Sequence, residues 1–168
     1  MSVRVARQED GAAVAGVHVR SWQAAYRGLL PDEYLDALRP EDRMSQYTFG
    51  STDANVPVTT VAVEDGSIRG FATTGPSRDA DAAGKGEVLA LYVDPEAWGT
   101  GIGDRLVAEA RARLTRMGFT EAVLWVLVGN DRAQRFYRTD GWQPDDGRRR
   151  EELWGVVVDE ARFRRHLP

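Results

Sequence analysis

Cysteine is absent from the 168-residue sequence, lysine occurs once, at Lys85, and the only histidines are His18 and His166. The first absence excludes disulfides and thiolate metal sites. Two histidines so far apart in the chain disfavour a zinc site, and no metal is expected. Acidic residues outnumber basic ones, 26 to 22, for a formal net charge of −4. That balance argues against generic nucleic-acid binding. No apolar run approaches the ~18–20 residues needed to span a bilayer. The opening residues, MSVRVARQED, contain no signal-peptide apolar region. The expectation is a soluble cytoplasmic protein without nucleic-acid or membrane partners. Its length suits one domain over 1–168 with a sizeable core.

What is present is organised around Asp94–Arg105, DPEAWGTGIGDR. The apolar run Val88–Val93 leads in and stops at Asp94-Pro95. Gly99, Gly101 and Gly103 follow at alternate positions. Ile102, Leu106, Ala110, Leu114 and Met117 then recur every three or four residues, as on a helix face. A strand, a tight glycine loop and a helix N-terminus present unpaired N–H groups and the positive end of a helix dipole. That junction suits a phosphate, and glycine removes the Cβ that would block its approach. Two commoner phosphate loops are excluded. Gly103 is followed by Asp104-Arg105 rather than Lys-Ser/Thr, and position 104 is not the glycine a dinucleotide fingerprint requires.

Taken in order, the chain predicts a strand over Val3–Ala6, with Gln8-Glu9-Asp10 capping a helix over Gly11–Ala25. A second helix follows over Asp32–Leu38, and a short turn over Glu41–Tyr47. Val56–Val63 and Ile68–Thr74 read as strands joined by the turn Glu64–Ser67. Gly75–Gly86 reads as a mobile surface loop, and Gly86–Val93 as the next strand. The glycine-loop helix spans Gly101–Met117. Ala122–Val128, almost wholly apolar, reads as a strand buried on both faces. A short helix over Asn130–Arg138 ends at Gly141-Trp142. Leu153–Val158 reads as the last strand and Asp159–Pro168 as a polar tail. Arg148-Arg149-Arg150 reads as a solvated loop neutralised by Asp145, Asp146, Glu151 and Glu152. Trp22 and Tyr26, lone aromatics at helical spacing, read first as core residues; the functional reading puts them in an acceptor pocket.

On the helix opening at Asn130, residues Asn130, Ala133 and Tyr137 share a face. The face offers an amide, a small gap and a phenol, along which a slender polar chain could lie. Read alone, the helix is better explained by Phe136 and Tyr137 as core aromatics.

Together the two stretches resemble the GNAT superfamily of acyl-CoA-dependent N-acyltransferases. The family's Arg/Gln-x-x-Gly-x-Gly/Ala motif corresponds to Trp98-Gly99-Thr100-Gly101-Ile102-Gly103. Its Asn-x-x-Ala-x-x-Phe-Tyr motif corresponds to Asn130–Tyr137, followed by Gly141-Trp142. The resemblance implies an α/β domain with a mixed, largely antiparallel sheet, a central splayed parallel strand pair and helices on both faces. It implies acetyl-CoA as acyl donor, its pyrophosphate on the backbone of Gly99–Asp104. The pantetheine arm would run between strands Gly86–Val93 and Ala122–Val128, along Leu91, Tyr92 and Val93. Asn130 and Ala133 would flank the arm, and Tyr137 would face the sulfur.

Two positions depart from the family pattern. Trp98 stands where Arg or Gln is usual. Trp125 stands where some members carry a glutamate base. Glu87, heading the strand before the glycine loop, is the replacement candidate and also an acceptor-binding residue. A carboxylate that takes a proton from an amine, directly or through water, suits that role. No covalent enzyme intermediate is needed, which accords with the absence of cysteine. The leading expectation is an N-acetyltransferase acting by direct attack of a small-molecule or peptide amine. A non-catalytic acyl-CoA-binding or sensing domain is the alternative, and a nucleotide-binding module a third reading. Residues choosing the acceptor would lie in Ser21–Tyr26, Gly75–Lys85 and Gln143–Glu152. Nothing in the sequence chooses between a monomer and a homodimer.

Overall fold

The apolar periodicities resolve into β1 (Ser2–Val5), α1 (Gly11–Ala25), α2 (Asp32–Ala37), β2 (Val58–Glu64), β3 (Ser67–Pro76), β4 (Gly86–Val93), α3 (Ile102–Arg116), β5 (Glu121–Leu127), α4 (Asp131–Thr139), β6 (Gln143–Leu153) and β7 (Val156–His166). This computed structural model describes residues 1–53 and 55–168. The strands form one sheet in the order β1-β2-β3-β4-β5-β7-β6. All neighbours are antiparallel except β4 and β5. The expected α/β architecture is therefore present.

Side-chain alternation assigns the two faces. Val61 and Phe71 turn to α1, packing with Val14 and Val17. Their neighbours Ala62 and Ala72 turn the other way, to Ile102 and Leu106 of α3. On that second face, Leu124 and Val126 of β5 join Val107 and Leu114 of α3, with Tyr137 and Trp142 at and beyond α4. The β2–β3 turn places Asp65 and Gly66 at positive φ, 49° and 77°, the geometry an Asp-Gly hairpin favours. Asp10 does not cap α1 with its side chain; it accepts the Arg7 N–H at 2.7 Å and pairs with Arg4.

The parallel pair is short. Gly86, Glu87 and Val88 pair with Ala122, Val123 and Leu124, and then the strands part. The β3–β4 register shifts at the same level: Thr74 faces Val88 and Thr73 faces Ala90, leaving Leu89 as an extra residue. A bulge bends its strand, and here it lies where β4 leaves β5.

The structure corrects four expectations. Arg148-Arg149-Arg150 is not in a loop, and Asp159–Pro168 is not a tail, while Leu153–Val158 holds a turn between two strands rather than one strand. All three lie largely in the β6–β7 hairpin, which turns at Trp154-Gly155. β7 pairs with β5 from Glu121↔His166 to Leu127↔Glu160 and buries Ala161 and Phe163. β6 lacks apolar alternation because it is an edge strand, paired to β7 alone. Its arginines are neutralised mainly across that pair: Arg149 Nε donates to Glu160 at 2.9 Å and Arg150 Nε to Asp159 at 3.0 Å. Fourth, β3 continues to Pro76, and the loop beyond is tethered rather than loose. Ala82 is buried, and the Arg162 guanidinium donates to both oxygens of Asp81, at 2.7 and 2.9 Å.

Candidate active site

The parting of β4 from β5 opens a cavity of about 510 Å³, with the glycine loop at one end and a charged patch of the sheet at the other. At the loop end, Gly99 and Gly101 have φ of 77° and 88°, the left-handed region that favours glycine. Gly101 is the N-cap residue of α3 and offers no side-chain acceptor. The first-turn N–H groups therefore lack a side-chain cap, at the positive end of a 15-residue helix. Gly103 serves close approach instead. A Cβ there would lie 3.2 Å from the Phe136 ring, so its absence lets α3 meet α4. Asp104 lines the cavity. Two of the predicted residues do not line it with side chains. The Thr100 hydroxyl donates to Ala97 O at 2.6 Å, and Ile102 is buried against Leu106.

Along the wedge, the Asp94 N–H bonds Arg69 O at 2.8 Å. Antiparallel alternation then turns the backbone groups of Tyr92 toward β3, and those of Leu91 and Val93 toward the gap. Trp98 Nε1 donates to Val93 O at 2.9 Å, so that carbonyl is taken. The Val93 N–H and both backbone groups of Leu91 face the cavity. On the opposite wall, Asn130 Oδ1 accepts the Ala133 N–H at 3.2 Å and caps α4, as its identity predicts. Among the described residues, no acceptor takes the amide N–H groups of Asn130. Ala133 and Tyr137 line the same wall. Tyr137 is buried, and its hydroxyl has no protein hydrogen-bond partner among the described residues. Burial first, then Tyr92 and Asp140, push its pKa well above the usual phenol value, so it stays protonated at neutral pH.

At the charged end, Glu87 is 2% exposed and lines the cavity. A solvent-facing strand end is thereby excluded for it. Its carboxylate accepts the Arg78 N–H at 3.4 Å and lies 3.6 Å from the Arg78 guanidinium. Trp22 and Tyr26 are buried, in agreement with the core reading. They belong to a buried cluster with Leu30, Leu35 and Leu127, and they also line the cavity. Burial raises the Tyr26 pKa, with Tyr92 adding to it. Beside this cluster, His18 stacks on Tyr92 at 4.7 Å and lies 3.8 Å from Trp154 between ring centroids. Burial, then the Arg43 charge, hold it well below its usual value and neutral.

Five charged residues of the cavity wall were not named as site residues from the sequence: Arg78, Arg132, Arg149, Glu151 and Glu160, of which Arg78, Arg149 and Glu151 lie within the stretches expected to choose the acceptor. Glu160 is buried, and desolvation raises its pKa. Arg149 works against that rise, while Glu151 and Glu87 add to it. Had β7 been recognised, alternation would have set Glu160 on the face of Val158 and Arg162. Trp125 holds no acid–base group here. Its Nε1 donates to Asp79 Oδ2 at 2.9 Å, and the Arg149 guanidinium lies 4.2 Å over its ring. Among the described residues there is no cluster of His, Asp and Glu that could hold a metal ion.

A model of the acetyltransferase (GNAT) family matches residues 17–142. The chain belongs to that family. Both motifs, Trp98–Gly103 and Asn130–Tyr137, lie inside the matched span, as do the parted strands. This GNAT acetyltransferase is 32% identical over 130 residues to the uncharacterized N-acetyltransferase YuaI of Bacillus subtilis, covering 77% of this chain and 73% of that one. It is 25% identical over 150 residues to the spermidine N(1)-acetyltransferase of Thermoplasma acidophilum, covering 87% and 90%. Its fold matches that of YncA from Salmonella typhimurium, solved with its cofactor acetyl-CoA. The TM-score is 0.72 at 20% sequence identity, covering 100% of this chain and 94% of that chain.

Proposed function

We propose that this GNAT enzyme moves an acetyl group from acetyl-CoA to a primary amine by direct attack within a ternary complex. The observation that carries the reading is one continuous cavity. It joins an uncapped helix N-terminus, a protonated tyrosine and a buried carboxylate. The donor's diphosphate sits on the N–H groups of the glycine loop. Its pantetheine arm pairs with the free backbone groups of Leu91 and Val93, and the Asn130 amide holds it past Ala133.

The acceptor enters between Trp22, Tyr26 and Glu87. An amine with a pKa of ~8–10 arrives mostly protonated at neutral pH. Glu87, directly or through a water, takes its proton. The free amine attacks the thioester carbonyl, and backbone N–H groups near Leu91 meet the oxyanion. As the tetrahedral species collapses, the new C–N bond remains and the C–S bond breaks. Tyr137 gives its proton to the departing thiolate and is reprotonated, through water, by the second proton of the attacking nitrogen, while Glu87 releases the first to solvent. The products are an N-acetylated amine and CoA.

The acceptor is a small-molecule or peptide amine. The named activity of the Thermoplasma relative makes a polyamine the first acceptor to assay. In this reading the enzyme is a single domain working in the cytoplasm, without metal. Calorimetry with acetyl-CoA, together with thiol release over a panel of polyamines, amino acids and peptide N-termini, tests the proposal. Saturable binding with amine-dependent thiol release is expected. Binding without turnover on any amine would overturn the transfer reaction, and no binding would overturn the donor.

A further inference from the structure

Arg132 is a cation in an unfavourable place. It is the second residue of α4, where the positive end of the helix dipole disfavours it. No carboxylate pairs with it among the described residues. Partial burial pulls its pKa below the ordinary guanidinium value. Yet it is fixed: its guanidinium carbon lies 3.5 Å from the centroid of the Trp98 ring. Trp98 is itself anchored by its Nε1 bond to Val93 O. One turn further along α4, Phe136 packs where Gly103 has no side chain. That contact sets this face of α4 against the first turn of α3. Arg132 therefore lines the same end of the cavity as Gly99, Gly101 and Gly103.

An arginine held flat on an indole keeps its edge N–H groups free for a planar, bidentate partner. The uncapped N–H groups of α3 open on the same cavity. Two sets of donors, one a full positive charge, therefore line the cavity beside the exposed Asp104. We propose that Arg132, oriented by Trp98, is the second arm of the phosphate site and binds the diphosphate of the acyl donor. The inference rests on the acetyl-CoA reading given above. It assigns Trp98 a positioning role through its ring rather than a polar contact of its own.

Calorimetry with CoA, 3′-dephospho-CoA and pantetheine tests it, on wild type, Arg132→Ala, Arg132→Lys and Trp98→Ala, with melting curves to confirm folding. Arg132→Ala is expected to raise Kd for CoA and for dephospho-CoA by about tenfold each, or about 1.4 kcal/mol. Pantetheine binding should not change. Arg132→Lys should recover part of the loss, since it keeps the charge without the plane. Trp98→Ala should weaken CoA about as much, and the double variant little more than either single one, as expected of residues acting as a unit. Removing one phosphate contact should also flatten the salt dependence of binding. An Arg132→Ala protein that binds CoA as wild type does would overturn the assignment. So would a loss that disappears with dephospho-CoA, which would move the contact to the 3′-phosphate, or one equally large with pantetheine. Wild type failing to bind CoA would overturn the donor reading itself.

Discussion

The indole N–H of Trp125, in the middle of β5, donates to Asp79 Oδ2 at 2.9 Å, joining the sheet to the β3–β4 loop. Arg162, opposite Trp125 on β7, reaches the same oxygen at 3.4 Å. The loop so held carries Arg78, whose N–H and guanidinium face Glu87. Trp125 therefore affects the candidate base indirectly, through the loop it holds.

Asp79→Ala should loosen that loop. It leaves the Trp125 indole without its partner and removes one carboxylate from Arg162. The expected cost is about 1–3 kcal/mol, the range for stranding a buried polar group, read from urea unfolding. Hydrogen exchange at 77–82 should accelerate more than at β5. A variant of unchanged stability and protection would make the contact incidental.

Glu160 gives a pH signature. Burial raises its pKa in the fold, so the folded state holds that proton more tightly than the unfolded chain. Its contribution to stability is then fully present below about pH 4.3, the unfolded glutamate value. It is lost as pH rises through the higher folded value. Glu160→Gln removes this dependence. Across urea midpoints from pH 4 to pH 7, wild type should lose stability relative to Glu160→Gln. Arg149 opposes the effect, while Glu151 and Glu87 reinforce it. A constant difference across that range would mean that the Arg149 pair cancels the desolvation.

The features legible in the sequence were local ones. The glycine loop, the Asn130 cap and the α1 boundaries each depend on residues a few positions apart, so spacing alone reported them. β6 was illegible because QPDDGRRREEL has no apolar alternation; its order comes from β7, through Arg149–Glu160 and Arg150–Asp159. The wedge depends on a bulge at Leu89 that no residue type signals. Arg132 meets Trp98 across 34 positions, between two elements whose packing is set by the missing side chain of Gly103. The polar β3–β4 loop looked mobile because its partners, Trp125 and Arg162, come from β5 and β7. Pairings of this kind require the assembled sheet.

Glu87→Gln tests the proposed base. The side chain is buried, lines the cavity and makes long contacts with the Arg78 N–H and guanidinium. Glutamine keeps the shape and a hydrogen-bonding oxygen but cannot take a proton. Turnover should fall by ~10²-fold or more, within the general-base range, and the acidic limb of the pH–rate profile should change. Acetyl-CoA affinity should hold, because the diphosphate site is at the other end of the cavity. Retention of wild-type rates across the acidic limb would remove Glu87 from the mechanism and leave Glu160 as the remaining buried carboxylate of the pocket.

Tyr137→Phe separates a proton donor from a core aromatic. The ring packs with Trp142 and Phe136, and phenylalanine preserves that packing. Tyr137 lines the cavity and its hydroxyl has no protein partner among the described residues, so its removal breaks no hydrogen bond there. A core role through a buried hydrogen bond would cost ~0.5–1.5 kcal/mol of stability with little effect on rate. Proton donation predicts the reverse: unchanged Tm, unchanged acetyl-CoA affinity and a lower kcat. A thiol with a pKa near ~8.5 leaves tolerably well even unassisted. The loss in kcat should therefore be about 10- to 10³-fold, at or below the middle of the general-acid range. Acetyl donors with a more acidic thiol should narrow the gap between variant and wild type, because a better leaving group needs the proton less. Melting, binding and turnover measured on one preparation decide the matter. A destabilised Tyr137→Phe protein with undiminished kcat would make the residue structural and leave the thiolate to be protonated from solvent.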